Sequence, residues 1–154
     1  MSRAFVICLM VLLGGAAIAD PAETAKAAGE KAQWLAIQTA ESSAFDGKTL
    51  TLRGLNPAVV MFTDRPRRVA ESMPVATFVG GWAAGGKQSF ASKPPNAGVT
   101  TVVNGKTETA VVVLSEPKLE GTTITYAVRV IEGTLLAAGK TTSVFIDDVC
   151  LSCW

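Results

Sequence analysis

The sequence contains no histidine. That absence removes the commonest general base and the commonest metal ligand. Ser-His-Asp and Cys-His catalysis go with it, as do histidine-based zinc sites within this chain. Carboxylate pairs remain, but no spacing of Asp and Glu recommends one. Cysteine is scarce: three in 154 residues, one of them, Cys8, in the N-terminal apolar run. A charge imbalance is missing too. Fourteen Lys and Arg stand against thirteen Asp and Glu, and a near-neutral chain has no electrostatic reason to seek nucleic acid or anionic lipid. No internal repeat or low-complexity domain is visible. Beyond the N-terminus no apolar run approaches transmembrane length.

What is present begins with "MSRAFVICLMVLLGGAAIAD". Arg3 supplies a short basic segment, an apolar run follows, and Ala17-Ile18-Ala19 offers the small residues of a peptidase site. This predicts a cleaved signal peptide over residues 1–19 and a mature chain from Asp20, destined for the periplasm or the cell exterior. The run is too short, and too small-residued at its end, for an anchor. Cys8 lies too early for a lipoprotein acceptor. The mature chain, of roughly 135 residues, is the size of one domain with a real core. Residues 20–32 are Ala-rich without an apolar face and read as a flexible lead. Residues 33–149 form the expected β-rich domain, and residues 150–154 a C-terminal tail.

Strand patterns dominate that domain. Residues 33–45 place Leu35 and Ile37 on one face and Trp34 on the other. Leu50 and Leu52 alternate with Thr49, Thr51 and Arg53. Asp46-Gly47 joins these two segments as a hairpin turn. "AVVMF" is a short apolar strand after Asn56-Pro57. Val75, Phe78, Val79 and Trp82 break the pattern with helical spacing; Ser72 is the expected cap, Pro74 fits the first turn, and Gly80 and Gly81 weaken the run. Asn104-Gly105 predicts a type I′ hairpin between "GVTTVV" and "KTETAVVVL". Residues 116–123 read as a turn region around Gly121. Ile124, Tyr126, Val128 and Val130 alternate with polar residues, and "TTSVFIDD" is a last strand. About seven strands with regular turn signals predict a mainly β fold, an antiparallel β-sandwich (Ig-like or similar) with one short helix; a closed β-barrel is the alternative.

Together "LTLRGLNPAVVMFTDRPRRVAESMPVATFVGGW", "SFASKPPNAGV", "VVVLSEPKLEGTTITYAVRVIEG" and "SVFIDD" resemble an uncharacterised family of small secreted bacterial β-rich proteins. Its pattern is an aromatic followed by Ser/Thr-Asp-Arg-Pro, a helix ending in tryptophan, a Ser-Phe…Pro-Pro-Asn-Ala segment and a β-rich end with Phe-Ile-Asp. The resemblance covers roughly residues 50–148. It implies one secreted domain and no assigned activity, so it brings no catalytic roles. The C-terminal Cys-x-x-Cys is outside the pattern.

Four groups of residues are candidates for chemistry. Arg65, Arg67 and Arg68 would suit an anion or a partner's carboxylate. Equally, the loop can brace itself, with Asp64 capping or pairing, Pro66 fixing one φ and Glu71 answering Arg68. The near balance of charge favours the brace. Cys150 and Cys153 predict a disulfide in an exported chain. The rival reading is a thiol-redox or soft-metal protein, two thiolates being able to hold a linear Cu(I). Trp82, Phe90 and Tyr126 could stack on carbohydrate, but their spacing favours the core. Asp147 and Asp148 point to opposite faces and do not converge on calcium. The expected function is a non-enzymatic binding or interaction module whose partner is an envelope protein or a small anion. No cofactor and no metal site are implied.

Overall fold

The computed structural model describes residues 33–64, 67–147 and 149. The readings made for residues 1–32, Arg65, Pro66, Asp148 and residues 150–154, with Cys150 and Cys153, lie outside the described residues. Eight strands form in chain order: β1 (Trp34–Phe45), β2 (Thr49–Leu55), β3 (Ala58–Thr63), β4 (Ala70–Pro74), β5 (Asn96–Val103), β6 (Lys106–Glu120), β7 (Thr123–Gly133) and β8 (Ala138–Ile146). One short helix, α1 (Val75–Gly80), and two 3-10 turns, Gly81–Ala83 and Gly86–Gln88, lie between β4 and β5. Among the described residues no helix is long and apolar enough to cross a membrane.

The turns form where the chemistry of the sequence requires them. Asp46 Oδ1 accepts the backbone N–H groups of Lys48 at 2.9 Å and Thr49 at 2.7 Å, which closes the β1–β2 hairpin around Gly47. Asn104 and Gly105 take φ of 51° and 75°, as a type I′ turn demands. The region expected to turn broadly around Gly121 is mostly strand: β6 runs on to Glu120 and reverses tightly at Gly121. The Glu116-Pro117 pair, expected in the turn, makes a β-bulge. Glu116 has φ 50°, Pro117 brings no N–H to the ladder, and the β6–β7 register shifts between Ser115 and Lys118. A bulge is where a strand tolerates both features.

The sheet is not the expected sandwich. It is a closed six-stranded antiparallel barrel with two outer strands. Walking by paired residues from Glu120 of β6 leads to Thr123, Arg53, Ser42, Lys140 and Val102, and returns to β6 at Thr107. The circuit closes, and it closes with a large stagger, so the strands tilt steeply around the axis. The closure depends on β1. One edge of β1 pairs with β8 along most of its length. The other edge is divided: Trp34 to Ile37 pair with β3, and Ala40 to Phe45 with β2. The chain changes partner at Asn56-Pro57. There Asn56 donates its N–H to the Thr39 carbonyl, and its Oδ1 accepts the Ala58 N–H at 3.0 Å. Strand count and turn spacing do not distinguish a sandwich from a barrel, because both come from the same alternation. The distinction lies in the pairs β1–β8 and β2–β7, which are remote in sequence.

The interior is filled. β1 contributes Ala36, Gln38 and Ala40, β2 Leu50 and Leu52, β6 Ala110, Val112 and Leu114, and β7 Ile124 and Tyr126. Helix α1 presents Val75 and Phe78 as its spacing predicts, but Ser72 does not cap it. Ser72 belongs to β4, Pro74 occupies the N-cap and no side chain bonds the first turn. The helix stops after six residues at the Gly80–Gly81 pair, and a 3-10 turn carries Trp82 onward. Trp82 then packs at 4.9 Å from Phe90 and 5.7 Å from Tyr126, ring centre to ring centre. Aromatic pairs of this kind add about 0.5–1.5 kcal/mol each beyond the area they bury. Leu135, in the β7–β8 connection, and Phe45 pack against the same core.

Candidate binding groove on the outer face

Alternation along a strand sends every second residue outward. On β5, β6 and β7 the pairing sets Asn96 against Val113, and Val113 against Arg129. The neighbouring outward pair is Ser115 and Ala127. Lys48, at the end of the Asp46-Gly47 turn, joins them because its carbonyl accepts the Val128 N–H at 2.7 Å. Together with Pro94 these residues line an open groove of about 570 Å³. Its lining mixes the apolar Pro94, Val113 and Ala127 with the polar Asn96 and Ser115, and its two charged groups are the cations of Lys48 and Arg129.

The electrostatics follow from the local bonds. Asp46 is the acid adjacent to Lys48, but its carboxylate is engaged by the amides of its own turn. Those N–H donors, from Thr49 first and Lys48 second, hold its pKa below the ordinary carboxylate value. It is therefore committed to the turn. Ser115 Oγ donates to the Ala127 carbonyl at 3.2 Å, which ties the hydroxyl to the β6–β7 ladder. The lining contains no carboxylate, no thiol and no imidazole, so it can bind charge but has no residue to accept a proton from a substrate. Its fitted chemistry is an anionic group beside an apolar body.

Polar and aromatic side chains reach into the barrel interior. A six-stranded ring is narrower than the eight-stranded ones whose interiors side chains just fill, and here Gln38, Tyr126 and the aromatic group occupy it. Tyr126 donates its hydroxyl to Gln38 Oε1 at 2.7 Å. Burial pushes the tyrosine pKa far above its usual value, and the Gln38 bond only partly opposes this. A second buried polar group joins Ser43, Thr101 and Thr142, and Thr101 Oγ1 also donates to the Lys140 carbonyl at 3.3 Å. Thr142 donates to Ser43 at 2.8 Å, and Thr101 lies 2.9 Å from Thr142.

The candidates taken from sequence are distributed as follows. Trp82, Phe90 and Tyr126 are buried and cannot stack on a carbohydrate. Asp64, Arg67 and Arg68 are exposed, and Arg68 has φ 52°. The loop they share is clamped at its base by Thr63, a residue the motif does not flag: its N–H donates to the Val69 carbonyl and its Oγ1 accepts the Val69 N–H, both at 2.9 Å. None of these loop residues lines the groove. Asp147 is exposed, and no three His, Cys, Asp or Glu side chains converge as a metal site among the described residues. Lys48, Asn96 and Arg129 were missed because each belongs to an ordinary turn or strand pattern. Only the registers of β5, β6 and β7 bring them together. No family model matches the chain, and neither a curated protein nor a solved structure matches it; the resemblance to a secreted β-rich family rests on the quoted residues alone.

Proposed function

We propose that this chain is a non-enzymatic binding module, exported to the periplasm or the cell exterior, that holds an anionic group in the groove between Lys48 and Arg129. The observation that carries the reading is the groove itself: two cations beside the outward side chains of Val113 and Ala127, with no carboxylate in the lining. Export rests on the N-terminal sequence. A guanidinium and an ammonium at one site favour a carboxylate, sulfate or phosphate, with Arg129 able to bind bidentately. Asn96 adds an amide for orientation.

Titration with octanoate, monitored by backbone amide shifts, tests the proposal, with octanol as the uncharged control. Octanoate is expected to move the amides of residues 127–129, 113–115 and 48, and octanol far less. Lys48→Ala and Arg129→Ala should each weaken binding, and added salt should weaken it further, because an open site is screened. Equal response to octanol, or binding that survives both substitutions, would remove the groove as the site.

A further inference from the structure

A continuous uncharged row crosses the outside of the barrel. Register places Val60 beside Ile37, Ile37 beside Phe145, Phe145 beside Gly98, and Gly98 beside Val111. At about 4.8 Å between strands, these five positions extend roughly 20 Å. Val60, Phe145 and Val111 are 47%, 43% and 37% exposed, so the row is apolar surface in contact with water. One outward position along β5 and β6 from Gly98 and Val111 are Asn96 and Val113, which line the groove. The apolar row and the two cations therefore share one surface, with the exposed Glu132 beside Val111 at the end of the row.

Gly98 is the second observation. Most glycines in this chain with a strand neighbour have positive φ or a crowded Cβ position; Gly98 has neither, and a Cβ built there meets nothing within 4 Å. Glycine in a strand interior weakens the strand and marks a bulge, a bend at a barrel corner, or a place where a ligand or another backbone comes close; the β5–β8 register shift lies further along, between Thr100 and Val102. Here it leaves a dent in the middle of the row, walled by Phe145 and Val111. On the side away from the groove the next row is Thr39, Ser143, Thr100 and Thr109, hydroxyls at strand spacing that suit amide groups. Two cations are too few for a bilayer surface, which needs a cluster of four or more.

We infer that this face docks a protein partner, seating a bulky apolar side chain over Gly98 and an acidic side chain against Arg129 and Lys48. The acidic arm rests on the groove reading; the apolar arm does not. The test is panning of short random displayed peptides on the full chain, with G98V and R129E as counter-screens. Enriched peptides are expected to carry an aromatic or branched residue near an acid. G98V should melt no lower than wild type, since valine favours strands and its side chain enters open space, yet it should bind those peptides at least about tenfold more weakly, as blocking a central pocket does. R129E should discriminate against the acidic residue and not the apolar one. G98V should still bind octanoate. Loss of octanoate binding by wild type, with peptide binding still sensitive to G98V, would fell the groove reading and leave the apolar dock standing. Peptides that bind G98V as well as wild type, or no enrichment at all, would overturn the dock. So would self-association that G98V abolishes, which makes the occupant a second copy, or anionic vesicle binding that G98V abolishes, which makes it lipid.

Discussion

Tyr126 is the single tyrosine of the chain, and its hydroxyl is buried against Gln38. This makes one spectroscopic signal report on one site. Below the unfolded value of about 10, both states hold the proton and Tyr126 adds no pH dependence. Above it the unfolded chain ionises while the folded chain does not, so stability falls as pH rises past that point. Tyrosinate absorbance near 295 nm should therefore appear only together with unfolding; a titration inside the folded state would contradict the burial. Tyr126→Phe leaves the buried Gln38 Oε1 without its donor and should cost about 1–3 kcal/mol, whereas Tyr126→Phe with Gln38→Met should lose less than the two single changes summed, in denaturant melts. Asp46 titrates in the opposite sense. Its pKa is lowered by the turn amides, so its contribution is present at neutral pH and fades as pH falls below about 3.9. Asp46→Ala should lower the melting temperature at pH 7, with the gap closing in acid. Leu50, Leu52, Ile124 and Tyr126 are readable as core from alternation. Gln38 is not: a glutamine on a strand reads as surface, and only a partner 88 residues away makes it interior.

Glycines separate the elements that have slack from those that do not. Gly80 ends α1 in helical backbone, and a Cβ there meets nothing within 4 Å. Gly80→Ala should raise stability by about 0.4–1 kcal/mol, through lost freedom in the unfolded chain. Gly139 of β8 is the contrary case. A Cβ there would come within 3.0 Å of Ser43 Oγ and closer still to Thr101 Oγ1, two members of the buried hydroxyl group. Gly139→Ala must break that group or displace β8, and should destabilise clearly in the same melts. The helical spacing of Val75 and Phe78 is legible because one turn of helix repeats locally, whereas Trp82 lies past the helix end in the following 3-10 turn. The helix cap was not legible: Ser72 has the right chemistry but is already held by β4 opposite Val60, and sheet pairing overrides local preference. The groove was illegible for a related reason. Lys48 reads as a turn lysine and Arg129 as an alternating polar residue until β7 is set beside the turn.

For the whole molecule, closure decides which parts open together. In a ring, each of the six strands has two neighbours, so no barrel strand can detach without breaking ladders on both sides. β4 has one neighbour, β3, and its residues are mostly exposed. β3 is better held, with Val59 and Met61 buried, yet it pairs with only the first residues of β1. The ring is closed by contacts distant in sequence, such as Ala36 with Ile146, which raise the entropic cost of ordering the chain. Native-state hydrogen exchange should show the consequence. Amides bonded within β1, β2 and β5 to β8 should converge on one free energy, equal to that of global unfolding in denaturant, while β4 amides exchange through a cheaper, partial opening. The proposed groove spans β5, β6, β7 and the β1–β2 turn, so octanoate bound there should raise the common barrel value through mass action. It should leave the β4 opening unchanged relative to the native state. Two separate tiers among the barrel strands would mean that the ring opens at a seam, and that the groove, which crosses three of its strands, is not on a rigid support.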